Sequence, residues 1–443
     1  MLAVAKFNFA DSPSLSHRMG EGVRRTGDGC FVRFQFVKRS LFQHTKDSFV
    51  RSTVMKLHLL LIATLTMTRG SLVVVAAESL RVPNPATSAA NASFRHEIRH
   101  SIQIGARWLE AQQNTNGFWS ISNHPAITAL AVRALLGDPT AGHKGPAEKG
   151  LRWIFGCSRP DGSIHRGELP NYNTALSLLA LHSSADPQYQ PAIQKARRWL
   201  VSQQIDLGEK GKLDSPFDGG VGYGGKYDHS DMNNTLVALE ALYYSRDHHG
   251  ERNSSGPEAL NWNAAIRFLQ NCQQLPSYNK QPWVSDDSTS RGGFVYYPGM
   301  SMAGADTNSD GHVALRSYGS ASYAGLLSYI YADLKPDDPR VVAVMDWLRR
   351  NFSLQENPGM GAQGLYYYLH LMTKALHTAG VDRLELADGR RLDWRKEVAM
   401  KLINLQQANG SWQNENGRWW EKDPVLVTSY SLLALELIDR GLP

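Results

Sequence analysis

Cysteine is scarce here: the chain of 443 residues has three, Cys30, Cys157 and Cys272. Three thiols do not make the disulfide framework of a small secreted domain, and with no C-x-x-C element the usual sequence mark of a structural zinc site is missing. Cys157 and Cys272 remain free to pair with each other. Net charge is also lacking where it would matter. The formal +6 of the whole chain is concentrated at the front, and residues 78–443 hold 36 Lys and Arg against 37 Asp and Glu. A near-neutral body has no electrostatic footprint for a phosphate backbone, which excludes nucleic acid as a partner. No G-K-[ST] follows a Gly-rich turn, so GGVGYGGKY at 219–227 reads as a tight loop rather than a phosphate cradle.

What is present begins with a processing signal. Lys56 precedes the apolar run LHLLLIATLTM, and Val75-Ala76-Ala77 supplies small residues at a cleavage position. Residues 55–77 therefore read as a secretory signal that leaves the protein secreted or periplasmic. The alternative is a membrane anchor, against which Arg69 stands near the middle of the segment. A membrane is expected as a partner only through this segment. Residues 1–54, basic and aperiodic, read as an upstream extension, either disordered or the product of a misassigned start. Residues 78–95, rich in Ser, Ala, Pro and Asn, read as a linker.

From residue 96 the chain repeats. The pattern T-x-x-[SA]-[LV]-x-A-L occurs as TALAVRAL from Thr128, TALSLLAL from Thr174, TLVALEAL from Thr235 and TSYSLLAL from Thr428, with looser copies from Ser322 and Leu369. Each copy is apolar around most of its circumference, as a helix buried on several sides must be. A half-exposed amphipathic helix precedes each one, marked by Arg107-Trp108-Leu109, Arg152-Trp153-Ile154, Arg198-Trp199-Leu200 and Arg267-Phe268-Leu269, and more weakly by Asp346-Trp347-Leu348 and Lys401-Leu402-Ile403. Six outer and six inner helices close on themselves without an uncapped terminal repeat. The expected fold is all-α: one α/α toroid of six helix pairs over residues 96–440.

Two related peptides join these helices, QQNTNGFWS at 112–120 and QQANGSWQN at 406–414. A Gln after the outer helix, a Gly for a positive-φ turn and a Trp to cover the helix end make a structural splice. The run Trp108-Leu109-x-x-x-Gln113-x-x-x-Gly117-x-Trp119, with Gln406-x-x-x-Gly410-x-Trp412, resembles the QW motif of squalene and oxidosqualene cyclases. With the six inner helices, it resembles the prenyltransferase and squalene-cyclase repeat superfamily over almost all of 96–440. The resemblance is specific for fold and poor for reaction, since that fold also serves protein prenyltransferases, cobalamin carriers and thioester domains.

Class II cyclases of that superfamily start from D-x-D-D-T-A, whose middle Asp protonates an alkene. Here the matching stretch is Asp231-Met232-Asn233-Asn234-Thr235-Leu236, and an amide at 233 cannot donate that proton. Asp231 and Asp228 are the remaining acids, and His229 between them is the candidate acid or base. The D-x-C of protein prenyltransferases and the G-C-G-E-Q of thioester domains have no counterpart. Tyr223, Tyr227, Tyr296, Tyr366 and Tyr367 are placed to line an aromatic chamber for an isoprenoid or a cation; packing in a helical core is their bland alternative. Asp306, Asn308 and Asp310 have the spacing of a calcium loop, with Gly311 at position 6 and Ser317 where a bidentate Glu belongs. No other cofactor is implied.

The leading expectation is a toroid that binds or transforms a hydrophobic isoprenoid or lipid in a central cavity without the D-x-D-D donor. A non-catalytic scaffold and a secreted carbohydrate-active α/α barrel are the alternatives, the last requiring a carboxylate pair on one cavity.

Overall fold

The computed structural model describes residues 85–138, 142–246, 259–307 and 311–442. The expected extension and signal lie outside the described residues. Among the described residues twelve α-helices alternate between two sets. The outer set is α1 (Pro85–Ala111), α3 (Lys144–Phe155), α5 (Gln190–Ser202), α7 (Trp262–Cys272), α9 (Pro339–Arg350) and α11 (Trp394–Leu405). The inner set is α2 (Pro125–Gly137), α4 (Pro170–Ser183), α6 (Met232–Tyr244), α8 (Gly319–Tyr331), α10 (Leu365–Thr378) and α12 (Pro424–Gly441). Inner helices pack in the order α2, α4, α6, α8, α10, α12 and back onto α2, and each outer helix packs on its inner partners. The fold is the α/α toroid expected from the repeats. Helix α1 starts at Pro85, so the segment 85–95, expected as linker, is helical. Among the described residues no helix is long and apolar enough to cross a membrane.

The repeated turn is built the same way around most of the ring. Gly117, Gly162, Gly219, Gly292 and Gly410 hold φ of +101°, +97°, +88°, +92° and +94°. A Cβ there would approach a backbone oxygen of the next outer helix, Lys149, Lys195, Ala264, Ala343 or Ile104, to between 2.0 and 2.8 Å. These positions need Gly for both conformation and close approach. The Gln that precedes the turn ties the same two pieces together. Gln113 Nε2 donates to Gly117 O and Pro146 O at 2.9 Å each, and Gln406 Nε2 donates to Gly410 O and Ser101 O. Gln204 and Gln273, which carry no Trp two residues after the turn glycine, do likewise.

Trp119 and Trp412 are fully buried. Their indole N–H groups donate to Leu109 O at 2.6 Å and Leu402 O at 2.7 Å, satisfying a last-turn carbonyl of the outer helix. The Thr that opens each inner octapeptide reaches back to the turn: Trp119 N, Ile164 N, Val221 N and Trp412 N donate to Thr128, Thr174, Thr235 and Thr428 at 2.9–3.1 Å, and Phe294 N to Ser322. The motif is structural, as its chemistry implied.

Closure is completed by a ring of bonds at one end of the inner helices. Ala126 N donates to Asn173 Oδ1 at 2.9 Å, Asn171 N to Tyr223 O at 3.1 Å, Met232 N to Tyr296 O at 2.9 Å and Gly319 N to Pro358 O at 2.9 Å. Tyr367 N donates to Glu421 Oε1 at 2.8 Å, and the Ser120 hydroxyl to Asp423. Each step joins one inner-helix N-terminus to the next repeat, at its loop or, for Ala126, at the first turn of α4. All six N-termini therefore share one end of the barrel, here called the mouth.

Candidate functional site

Six helix N-termini at one mouth concentrate unpaired N–H groups and positive dipole ends, which favour carboxylates as caps. The structure uses the acids of the mouth in that way. Asp231 is fully buried and caps α6: it accepts Asn234 N at 2.9 Å and Asn234 Nδ2 at 2.7 Å, one bond per oxygen. Burial pushes its carboxyl up to about 6 against the pull of those hydrogen bonds. Glu421 is buried and caps α10, accepting Tyr367 N and Asn414 Nδ2, with burial raising its carboxyl. Asp423 caps α12. Asn233 is half-buried, and its amide oxygen accepts the Tyr367 hydroxyl at 3.4 Å. The D-x-N-N stretch is thus a helix cap with an amide at the lumen.

His229 is half-buried on the loop before α6; its ring packs on Tyr297 with centroids 4.5 Å apart, and Nδ1 lies 3.2 Å from Ser230 O. Asp228 is exposed beside it. The Tyr residues expected in a chamber divide. Tyr223 and Tyr227 are half-buried at the mouth and pack on each other at 5.4 Å, and Tyr223 continues to Tyr172 at 6.2 Å. Tyr367 lies deeper, against Tyr430 at 5.6 Å. Tyr366 is buried beside the Glu421 carboxylate, its hydroxyl pushed up to about 12 by burial first and that charge second. It does not line the central void.

Two residues missed by sequence reasoning stand on the mouth. Trp419 and Trp420 are 41% and 45% exposed, and both hold left-handed backbone, φ +54° and +69°. Trp419 lies against Gly364, and Trp420 meets the His124 ring edge-on at 5.1 Å. His124 in turn contacts Glu168 at 3.1 Å. The run Arg418-Trp419-Trp420 carried no periodic signal, because a single loop insertion leaves none.

Below the mouth the lumen is filled in layers three or four residues apart along each inner helix. Tyr172, Asn233 and Tyr367 lead to Leu130, Leu176, Val237, Leu371 and Tyr430, which surround a void of about 20 Å³. The next layer closes it with Arg133, Glu240 and Lys374. Lys374 Nζ donates to both Glu240 oxygens at 3.0 and 2.9 Å, and Arg133 lies 3.5 Å from the same carboxylate. Burial opposes the charge on Glu240, yet Lys374 and Arg133 outweigh it and hold the carboxyl below its ordinary range. The signal for this layer was on the page: Arg133, Glu240 and Lys374 occupy the sixth position of the octapeptide in alternate inner helices, where the other three copies have Leu179, Leu327 and Leu433.

Of the residues with calcium-loop spacing, Asp306 lies in β1 (Ala305–Thr307), which pairs with β2 (Val313–Leu315), and faces Arg316 at 3.6 Å; Asn308 and Asp310 lie outside the described residues. Ser317 is buried and donates to Ser290 O at 2.8 Å. Among the described residues no three His, Cys, Asp or Glu side chains are grouped to hold a metal. Cys157 and Cys272 are both free and buried.

No protein-family model matches the chain, and no curated protein matches it. Solved structures do. The type II terpene cyclase MstE from Scytonema aligns at 13% identity over 78% of this chain and 99% of that one, TM-score 0.47. The GH76A α-1,6-mannanase from Salegentibacter sp. HEL1_6 aligns at 12% identity over 78% and 100%, TM-score 0.48. A protein from Actinoplanes aligns at 12% identity over 77% and 99%, TM-score 0.43. At these identities the likeness is one of fold alone.

Proposed function

We propose that this toroid binds a carbohydrate across its mouth and does not turn it over. The observation that carries the reading is the pair Trp419–Trp420. Left-handed backbone costs a bulky residue about 1–3 kcal/mol, and these two residues keep 41% and 45% of their surface exposed, so burial offsets the strain only in part. The Arg418 guanidinium lies over the Trp419 ring at 4.8 Å, and the exposed surface of Trp420 is held ready for a partner.

The chemistry around them selects its class. Tyr172, Tyr223, Tyr227, Asn233, His124 and Glu168 mix ring faces with hydroxyl, amide, imidazole and carboxylate groups. A pyranose offers both complements, a C–H face for the rings and a rim of hydroxyls for the polar groups. A hydrocarbon would desolvate those groups without pairing them. An isoprenoid in the centre is poorly served as well: a lipid site must enclose most of its ligand, whereas the void is about 20 Å³ and is floored by Arg133, Glu240 and Lys374.

Turnover lacks its acids. Asp231 and Glu421 are committed to helix caps, and position 233 is an amide. Among the described residues, neither a proton donor placed as the middle Asp of D-x-D-D would be nor a pair of free buried carboxylates facing the mouth is left for the two-acid route.

Intrinsic tryptophan fluorescence, titrated with neutral gluco-, manno- and xylo-oligosaccharides, tests the proposal. A saturable change that disappears in Trp420→Ala, with no new reducing ends released, is expected. A silent titration together with a stoichiometric isoprenoid in the solvent extract of the purified protein would sink it.

A further inference from the structure

Apart from Tyr172, the lining of the lumen void is not used by the mouth. About 20 Å³ is room for one small particle. Its walls are Leu130, Leu176, Leu236, Val237 and Leu371, but its polar lining is more specific. Two cations, Lys374 and Arg133, share one carboxylate, Glu240. Lys374 and Glu240 are buried, with side-chain exposures of 11% and 2%, and Arg133 is at 17%. His370 also lines the void, is 4% exposed, and its Nδ1 is buried with no hydrogen-bond partner. A buried polar atom without a protein partner implies a non-protein one.

We propose that this void is a monovalent-anion site that takes one halide ion between Lys374 Nζ, the Arg133 guanidinium and His370 Nδ1. Charge decides against water alone. Lys374 and Arg133 against one carboxylate leave a positive excess in a low-dielectric interior, where burial pulls the Lys374 ammonium down against the pull of Glu240, and an uncompensated buried charge is costly. Other titratable groups do not remove it. Burial pushes the Glu436 carboxyl on α12 well above its ordinary range, Asp138 is turned to His143 at 3.2 Å, and burial pushes the Tyr172, Tyr367 and Tyr430 hydroxyls up.

Binding is coupled to a proton. Burial, then Lys374 and Arg133, keep the His370 ring neutral. An anion beside it cancels the second influence and favours the imidazolium, which has a donor on Nδ1 to give. The groups that face His370 are Lys374 on its own helix, Arg133 on α2, Glu240 on α6, Tyr172 on α4 and Tyr430 on α12, whose ring stacks on it at 5.3 Å. The halide is therefore held more tightly as pH falls below the ordinary imidazole range.

The full chain is melted in sodium gluconate and in sodium bromide at equal ionic strength, and crystals are soaked in bromide. The expected result is a bromide-specific rise in Tm of about 2 °C or more, larger on the acid side of the ordinary imidazole range than above it, with an anomalous peak beside Lys374. The rise should vanish in Arg133→Gln, and also in the double variant Lys374→Met with Glu240→Gln, which leaves no lone charge behind. Equal Tm in both salts with only water in the void overturns the proposal. So does a bromide effect that survives in both variants, because the ion then binds elsewhere.

Discussion

At the mouth, six helix N-termini meet water under a girdle of Tyr and Trp rings; two turns further along the same helices, Arg133, Glu240 and Lys374 meet one another away from it. Both regions are drawn from the same repeat. The difference follows from helix polarity and from depth. Near the N-termini a carboxylate is stabilised as a cap, so Asp231, Glu421 and Asp423 are absorbed into the scaffold, and aromatic rings are what remains to face a ligand. In the lumen no cap is needed, and a charge survives only against an opposite charge. One end is built to be approached, and the other is built to be closed.

The largest expected effect comes from breaking the closed end. Glu240→Gln leaves Lys374 and Arg133 buried without their carboxylate, and should cost about 3–5 kcal/mol in denaturant unfolding. Replacing all three with Leu or Met should be close to neutral, because the pair is not itself a source of stability. A large loss in that triple variant would show that the charges hold the ring together. Trp412→Ala, in the splice between helices, should lose a comparable 3–5 kcal/mol, whereas Trp420→Ala at the mouth should lose well under 1 kcal/mol. Comparable losses at both would erase the distinction between scaffold indole and ligand indole.

The pH profile sharpens the comparison next. Asp231 has its folded pKa raised from 3.8 to about 6, so its contribution to stability is fully present below pH 4 and is lost as pH rises to 6. The shift is worth about 3 kcal/mol. Asp231→Asn keeps an efficient cap and should flatten that segment of the stability curve. An unchanged curve would place the charge in water. Gln113→Ala removes two bonds of the splice, to Gly117 O and Pro146 O, for about 1–2 kcal/mol. The smallest effect has the opposite sign: Trp420→Gly relieves a left-handed backbone and should raise stability by up to about 1 kcal/mol while abolishing binding.

The ring was legible because its signals repeat. Thr128, Thr174, Thr235 and Thr428 bond the turn before them, and Gln113, Gly117 and Trp119 each meet a backbone group that every helix pair must satisfy. The site was less legible for reasons that differ residue by residue. Asp231 was visible as an acid, but its commitment to the Asn234 amides is a matter of three-dimensional capping. Tyr366 and Tyr367 are neighbours in sequence and face different surroundings, as consecutive helical residues must. Arg133, Glu240 and Lys374 share one repeat position and were readable in principle, while Trp419 and Trp420 owe their exposure to backbone dihedrals that composition does not encode.

The most direct test of the account is a calorimetric titration of the oligosaccharide that gives the fluorescence response into wild-type protein, Trp420→Ala and Arg133→Gln. The account predicts that binding is lost in Trp420→Ala and unchanged in Arg133→Gln, since the ligand stays at the mouth. Retained binding in Trp420→Ala with loss in Arg133→Gln would place the ligand in the lumen and contradict it.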